Sequence, residues 1–184
     1  MFRWVILKLI KYRLSSIRLV VLDVDGVLTD GGLWYSDSGE VVKRFDVRDG
    51  LGIKLLQEIG IEVAFLSGGR AGAIEVRAKH LGIRHCLVGV KDKVLGLSDL
   101  LAKIEIEKSH VAFIGDDLND LAVLSQVGLL IAPSDAVAPL RRRANLVLRS
   151  QGGKGAVREF AELVLKDRKQ WSKYERNGWR DRND

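Results

Sequence analysis

Short apolar runs alternate with longer amphipathic stretches along most of this 184-residue chain. The apolar runs cover residues 17–22, 61–66, 111–114, 129–132 and 146–148. Helical spacing of apolar side chains predicts helices near 49–59, 71–81, 93–103, 118–127, 135–143 and 155–166. Strands of a parallel sheet are covered on both faces and therefore appear as continuous apolar runs. The alternation predicts an α/β fold built on a doubly wound, Rossmann-like parallel sheet.

One segment departs from this alternation. Residues 33–36 and 40–45 flank a Gly-containing turn, which predicts a small β-hairpin insertion at about 31–46. The length fits one domain. We divide the chain into an N-terminal segment at 1–16, a folded domain at 17–166 and a charged tail at 167–184. For the tail, with its two Trp and one Tyr, we favour disorder over docking on another subunit.

The net charge of +6 is concentrated at the two ends of the chain. Residues 1–18 contain five basic and no acidic side chains, and residues 166–184 contain seven basic and four acidic ones. The middle, 19–165, contains 18 basic and 20 acidic side chains. Because this body is slightly acidic, we expect no nucleic-acid partner.

The first 16 residues form a short, basic, amphipathic pattern. Its apolar residues at helical spacing are Phe2, Val5, Ile6, Leu9 and Ile10. Lys8 interrupts the run and no small-residue cleavage site follows, so we expect no stable membrane insertion. We favour docking on protein over a membrane-surface anchor. The single cysteine, Cys86, excludes an intrachain disulfide and fits a reducing compartment or indifference to redox.

Two acidic side chains follow the first apolar run. Asp23 and Asp25 are two residues apart, so they point to the same side of an extended segment and repel each other. Such a pair suits a hard divalent ion such as Mg²⁺, which binds carboxylates together with a substrate phosphate. Asp and Gly after a strand also form ordinary turns, so this motif alone is moderate evidence.

Two other strand ends carry groups that suit a phosphate. The third apolar run leads into GDDLND at 115–120, with Asp116, Asp117 and Asp120. Residues 61–66 lead into Ser67 and Gly68, which offer a hydroxyl and backbone N–H groups before a helix. Lys93 adds a positive charge at the start of another helix. Doubly wound folds place their sites at the carboxyl ends of strands, so we predict a catalytic site there.

These residues resemble a known family. DVDGVLTD at 23–30, Ser67, Lys93 and GDDLND resemble the four motifs of the haloacid dehalogenase superfamily of phosphohydrolases. KRFDVRDGLGIK at 43–54, Arg77, LGI at 81–83 and GGKGAVRE at 152–159 are similar to the 3-deoxy-D-manno-octulosonate 8-phosphate phosphatases. The likeness covers about 17–166. It implies Mg²⁺-dependent hydrolysis of this sugar phosphate in the cytoplasm, in the supply of a lipopolysaccharide sugar.

The resemblance also implies a role for each matching residue. Asp23 is the nucleophile that forms an aspartyl-phosphate, and Asp25 is the general acid and base. The Asp23 carboxylate, the Asp25 main-chain carbonyl and Asp116 are the implied Mg²⁺ ligands.

Other implied roles concern the phosphoryl group and the sugar acid. Ser67 and Lys93 hold the phosphoryl group, while Asp117 and Asp120 orient metal-bound waters or Lys93. The residues implied to face the substrate are Asp46, Val47, Arg48, Asp49, Gly50, Lys54, Gly68, Arg70, Arg77 and Lys93. Arginine and lysine suit an anionic, carboxylated sugar phosphate.

One position departs from the family pattern. Relatives often have Thr/Ser-Gly-Arg at the second motif, whereas this chain has Ser67-Gly68-Gly69, followed by Arg70. Either Arg70 reaches the same anion, or the substrate differs. The alternative within the same chemistry is a phosphatase of a sialic-type nonulosonate 9-phosphate. A non-catalytic scaffold and a polynucleotide phosphatase are further alternatives.

The chain has no room for a cap domain. The 44 positions from Asp23 to Ser67 are filled by the hairpin, a helix and a strand. Water must be excluded from such a site by other means. The resemblance implies a homotetramer in which neighbouring subunits wall the site.

Overall fold

The computed structural model describes residues 14–180, and a six-stranded sheet forms its centre. The strands run in the order β5-β4-β1-β6-β7-β8, and every neighbouring pair is parallel. They are β1 (Leu19–Leu22), β4 (Glu62–Leu66), β5 (His85–Leu87), β6 (Val111–Ile114), β7 (Leu129–Ala132) and β8 (Leu146–Val147). The predicted doubly wound α/β fold is confirmed.

Seven helices connect or follow these strands in the described part of the chain. They are α1 (Val47–Glu58), α2 (Ala73–His80), α3 (Lys93–Ile104), α4 (Leu118–Leu121), α5 (Ala138–Arg143), α6 (Ala156–Asp167) and α7 (Trp171–Asn177). Short 3₁₀ turns occupy Lys108–His110 and Ala122–Gln126. Within residues 14–180, no helix has the length and apolar character needed to cross a bilayer.

Alternate residues of each strand enter one of two cores. Val20 and Leu22 of β1 pack in the core that includes Ile53 of α1 and Phe160 of α6. Leu19 and Val21 pack in the opposite core with residues of α3 and α5, among them Leu97 and Leu140. Because both faces of β1 are covered, all four of its residues are buried.

Helices α1 and α6 pack closely on the same side of the sheet. A methyl group at Gly52 of α1 would lie 2.8 Å from the Cα atom of Arg158 in α6. Glycine therefore permits the close approach of the two helix backbones.

The predicted hairpin is present as a separate two-stranded antiparallel sheet. It consists of β2 (Trp34–Tyr35) and β3 (Val41–Val42), in which Trp34 pairs with Val42 and Tyr35 with Val41. Gly39 at the turn has φ +80°, a conformation that favours glycine.

The expectation of a disordered C-terminal tail is wrong for its described part. Helix α7 packs on α6, and Tyr174 is buried in the core cluster that Trp171 and Trp179 also contact. The indole Nε1 of Trp179 donates to Oε2 of Glu58 at 2.8 Å. Aromatic burial thus compensates for the ordering of a charged segment. The amphipathic pattern predicted for residues 1–16 lies almost wholly outside the described residues.

Candidate active site

The carboxyl ends of three adjacent strands meet at one edge of the sheet. Strand β1 lies between β4 and β6, so Asp23, Ser67 and Asp116 follow neighbouring strands. A cleft of about 820 Å³, open solvent included, lies at this edge. Its lining residues include Asp23, Asp25, Asp116 and Asp117. The structure therefore brings the acids of the two predicted clusters together.

Lys93 joins the acids through two contacts. Its Nζ atom lies 2.9 Å from Oδ2 of Asp23 and 2.6 Å from Oδ1 of Asp120. It is the first residue of α3, whose N-cap Asp92 accepts the N–H groups of Val94 and Leu95. The cap fixes the start of the helix, and the Lys93 side chain is buried beneath the cleft against Asp23 and Asp120.

Asp120 organises the segment that follows β6. It is fully buried, and its Oδ2 accepts the backbone N–H groups of Asp116 at 2.9 Å and Asp117 at 3.3 Å. Its other carboxylate oxygen receives Lys93. Asp120 thus fixes both the backbone at Asp116 and the ammonium group beside Asp23.

Asp23 and Asp116 have the properties of a cation site. Oxygens of Asp23, Asp116 and Asp120 lie within 4.8 Å of one another. Burial and the neighbouring carboxylates raise the pKa of Asp23 and of Asp116 to about 7. Because Asp23 and Asp116 line the cleft whereas Asp120 is fully buried outside its lining, Asp23 and Asp116 are the better placed to bind Mg²⁺ through their carboxylates.

A glycine keeps space open beside Asp116. Gly26 has φ +81°, and a methyl group there would lie 2.0 Å from Oδ2 of Asp116. The glycines of the GGKGAVRE segment support the same loop from behind. A methyl group at Gly152 would lie 1.8 Å from the carbonyl oxygen of Gly26, and the N–H of Gly153 donates to the Val27 carbonyl. Both glycine motifs therefore serve close packing around the acids.

Asp25 contacts a residue that the sequence interpretation did not single out. Lys43, just after β3, donates to Oδ1 of Asp25. On the other side of this carboxylate, a methyl group at Gly69 would lie 2.9 Å from Oδ2. Lys43 belongs to the KRFDVRDGLGIK segment, and that resemblance was the only sequence signal that could have pointed to it.

Ser67 lies buried at the end of β4. Its Oγ accepts the N–H of Gly69 at 3.0 Å. The methyl group that would approach Asp25 if Gly69 were alanine would also lie 3.1 Å from this oxygen. Gly68 and Arg70 are exposed in the loop that follows. Ser67 thus lies beside Asp25, whereas Arg70 is exposed to solvent.

Residues implied to face the substrate form a second cluster at the start of α1. Asp46 caps this helix and makes a bidentate ion pair with Arg48, at 3.2 Å from Nε and 2.9 Å from the second guanidinium nitrogen. The Arg48 hydrogen bonds hold the pKa of Asp46 below its ordinary value. Arg48 and Val47 are exposed.

Asp49 and Arg77 connect separate elements in this cluster. The buried Asp49 carboxylate accepts the N–H groups of Gly155 at 3.1 Å and Arg158 at 3.0 Å, and so caps α6. Arg77 donates to the Asp46 carbonyl at 3.3 Å. Its guanidinium occupies the space that a side chain at Gly50 would need. In this structure both residues make contacts that support the fold.

Lys54 is not brought to the acids. It lies near the amino end of β4, where it lines a groove with Gln57 and Glu62. Its Nζ lies 6.0 Å from the ring centroid of Trp179. Helix α1 runs away from the carboxyl edge of the sheet, so a residue two turns along it lies at the opposite edge.

The fold and the acid cluster define a hydrolase of the haloacid dehalogenase-like class, and residues 89–160 match the profile of the haloacid dehalogenase-like hydrolases. The 3-deoxy-D-manno-octulosonate 8-phosphate phosphatase KdsC of Yersinia pestis is 46% identical over 153 residues, 83% of this chain and 82% of the relative. The corresponding phosphatase of Escherichia coli K12 is 46% identical over 82% of this chain and 80% of its own. This chain belongs to the 3-deoxy-D-manno-octulosonate 8-phosphate phosphatase family.

Solved structures agree with this assignment. The crystal structure of the Yersinia pestis phosphatase superposes with a TM-score of 0.87 at 43% identity and covers 89% of each chain. A Moraxella catarrhalis phosphatase, solved with magnesium, phosphate and KDO, gives a TM-score of 0.88 at 37% identity, over 92% of this chain and 98% of that one. The predicted superfamily and family are confirmed.

Proposed function

We propose that this protein is a Mg²⁺-dependent phosphatase that converts 3-deoxy-D-manno-octulosonate 8-phosphate into the free sugar acid and phosphate. The observation that carries the proposal is the contact of Lys93 with both Asp23 and Asp120, which assembles a buried carboxylate, a cation and the acids after β6 at one cleft. The family's named members hydrolyse this substrate.

In the first step a carboxylate oxygen of Asp23 attacks phosphorus, and the bond from phosphorus to the sugar oxygen breaks. Asp25 donates its proton to the departing sugar oxygen, so the sugar acid leaves as an alcohol. Lys93, held between Asp23 and Asp120, contributes positive charge beside the transferring group. Ser67 contributes a hydroxyl at the neighbouring strand end.

In the second step Asp25 accepts a proton from water, and the water oxygen attacks the phosphorus of the aspartyl-phosphate. The bond between phosphorus and Asp23 breaks, which releases phosphate and restores the free carboxylate. Asp25 thereby returns to its protonated form for the next cycle.

We assign the Mg²⁺ site to the Asp23 carboxylate, the Asp25 main-chain carbonyl and Asp116. The raised pKa values of Asp23 and Asp116 support this assignment, because facing carboxylates in a buried place favour a bound cation. When bound, Mg²⁺ offsets negative charge on the phosphoryl oxygens. Asp117 and Asp120 would not bind the metal directly but would orient metal-bound waters or Lys93. Asp120 holds Lys93 by accepting a hydrogen bond from it.

For the sugar acid we propose that the facing groups are Gly68, Arg70, Asp46, Val47, Arg48 and Gly50. Arg70 is exposed, so its guanidinium is available to an anionic ligand. Arg48 is exposed as well, but its guanidinium is paired with Asp46, so an anionic ligand would compete with that carboxylate. Asp49, Arg77 and Lys54 are weaker candidates, since the first two support the fold and the third lies at the opposite edge of the sheet.

We propose that the enzyme is a homotetramer whose hairpins help to wall the open cleft. Trp34 is 69% exposed, and Leu33, Tyr35 and Val42 are exposed beside it. Soluble monomers rarely expose clustered large apolar side chains without a partner. Light scattering at micromolar concentration tests this, and a fully active monomer would contradict it. We place the enzyme in the cytoplasm, since its single cysteine needs no oxidising compartment.

The proposed substrate is tested by comparing two sugar phosphates. Phosphate release is measured with 3-deoxy-D-manno-octulosonate 8-phosphate and with a nonulosonate 9-phosphate, each with Mg²⁺ and with EDTA. The proposal predicts a higher kcat/KM for the octulosonate, and Mg²⁺ dependence for both. A preference for the nonulosonate would move the assignment to the alternative, with Gly69 and Arg70 as the positions to exchange.

A further inference from the structure

Lys43 brings a buried positive charge from the hairpin to the candidate active site. Its side chain is 7% exposed, and its Nζ donates to Oδ1 of Asp25. A lysine ammonium this buried requires a counter-charge, because removal from water otherwise costs several kcal/mol. The Asp25 carboxylate, 18 residues earlier in the chain, supplies that charge when it is ionised, and its Oδ1 still accepts from the ammonium when Oδ2 carries the proton.

The second oxygen of Asp25 has a different environment. A methyl group at Gly69 would lie 2.9 Å from Oδ2 of Asp25 and 3.1 Å from Oγ of Ser67. This oxygen therefore lies beside the loop after β4, next to Gly69, which has no side chain to block it. The two oxygens are thus distinguished: one binds an ammonium group and the other faces the loop that follows Ser67.

We infer that Lys43 is a positioning residue for the phosphatase reaction, which occupies Oδ1 of Asp25 and leaves Oδ2 as the oxygen that exchanges protons with the substrate and water. The inference rests on the proposed function, in which Asp25 is the general acid and base. Lys43 acts through Asp25 and requires no contact of its own with the substrate. The proton moves from Oδ2 to the sugar oxygen in the first step and returns to Oδ2 from water in the second.

The contact also couples the hairpin to the reaction. Lys43 directly follows β3, whose partner strand β2 exposes Trp34 and Tyr35. Any rearrangement that moves β3 away from the sheet withdraws Lys43 from Asp25. A side chain on an apolar, exposed hairpin thereby sets the orientation of a catalytic carboxylate.

The test uses the full chain with three single variants. Lys43→Met removes the charge and donor, Lys43→Arg keeps both, and Arg44→Met makes the same kind of change at the adjacent exposed position. We expect Lys43→Met to lower kcat on the octulosonate phosphate roughly 10- to 100-fold, part of what general acid–base catalysis contributes. Its KM should change less than about threefold, as expected when ground-state binding is retained. Lys43→Arg should recover much of kcat, and Arg44→Met should match the parent.

Two kinetic outcomes would overturn the inference. A raised KM with unchanged kcat would make Lys43 a substrate contact, and parent-like values for both would make the ion pair incidental. Crystal structures of Lys43→Met and Arg44→Met give a readout that needs no activity: the Asp25 carboxylate should turn in the first variant and stay in the second. If Lys43→Met fails to fold, Lys43→Gln replaces it in both measurements.

The crystal structures also separate the two claims. If the parent enzyme releases no phosphate from any sugar phosphate, the proposed function fails, whereas a turned Asp25 in Lys43→Met still supports the positioning contact. An unmoved Asp25 in that variant would refute the positioning contact whatever the parent's activity.

Discussion

The ammonium of Lys93 lies 2.9 Å from Oδ2 of Asp23, so the candidate nucleophile and its countercharge are in direct contact. Asp120 holds the other side of the ammonium at 2.6 Å. Both partners of Lys93 are almost completely buried. The lysine is therefore needed to compensate their negative charge as well as for the reaction.

Lys93→Met should therefore impair both stability and activity. Breaking a buried ion pair by removing one partner costs about 3–5 kcal/mol, because the remaining charge is left without compensation. We expect the free energy of unfolding, measured with urea, to fall by that order and phosphate release to be almost lost. Lys91→Met, two residues earlier and exposed, is the control and should resemble the parent. Equal stability of the two variants would show that Lys93 does not compensate the acids.

Gly26→Ala should weaken Mg²⁺ binding by displacing Asp116. The added methyl group would lie 2.0 Å from Oδ2 of Asp116, in addition to the strain of alanine at φ +81°. Gly60→Ala is the matched control, since Gly60 has φ +78° and a methyl group there would meet no atom within 4 Å. Both variants should lose about 1–2 kcal/mol to left-handed strain. Calorimetric titration with Mg²⁺ should show reduced affinity in Gly26→Ala alone, and equal affinities would count against Asp116 as a ligand.

The metal-free protein should lose stability as the pH rises towards 7. Asp23 and Asp116 have pKa values raised from 3.8 to about 7, so between these values the folded state binds more protons than the unfolded state. Stability contributed by these groups is therefore present at low pH and decreases as the pH rises through about 7, where each carboxyl is half ionised. Urea unfolding across this range should show a smaller decrease in Asp116→Asn than in the parent. A parent whose stability rises throughout this window, with an identical curve for the variant, would contradict the prediction.

Mg²⁺ affinity should show the opposite trend with pH. Protons compete with the metal for Asp23 and Asp116 below about pH 7, so affinity should rise by about tenfold or more from pH 6 to pH 8. Calorimetry in buffers of different ionisation enthalpy should detect proton release near pH 6 and almost none near pH 8. Affinity that is independent of pH would mean that these carboxyls are not protonated near neutrality.

Asp49→Asn should separate a structural role from a substrate-binding one. The Asp49 carboxylate accepts N–H groups from Gly155 and Arg158, and the amide offers one acceptor where two are needed. We expect a loss of about 1–3 kcal/mol in the free energy of unfolding, with KM near that of the parent. Asp99→Asn, at an exposed position of α3, is the control. A large increase in KM with unchanged stability would instead place Asp49 against the substrate.

The sequence was sufficient to predict the site residues that directly follow a strand. Asp23, Ser67 and Asp116 follow apolar runs, and parallel strands bring their carboxyl ends together whatever the details of packing. The hairpin was likewise predictable from its turn and its short, strand-forming flanks. These inferences depend on periodicity, which is local in the chain.

Contacts between distant segments were not predictable in this way. The pairing of Lys43 with Asp25 and the capping of α6 by Asp49 each depend on how a hairpin or helix is placed by the whole fold. Lys54 shows that a matching motif does not ensure a place at the site. It belongs to the motif shared with the family, but helix α1 places it at the opposite edge of the sheet. The tail was misjudged because composition does not reveal that Tyr174 has a core to enter.

The most direct test of the account is phosphate release from 3-deoxy-D-manno-octulosonate 8-phosphate by the parent, Asp23→Asn and Asp99→Asn, each with Mg²⁺ and with EDTA. Asparagine cannot act as the attacking carboxylate, so the account predicts Mg²⁺-dependent release by the parent and Asp99→Asn and none above background by Asp23→Asn. Release by Asp23→Asn at the parent's rate would contradict the assignment of the nucleophile.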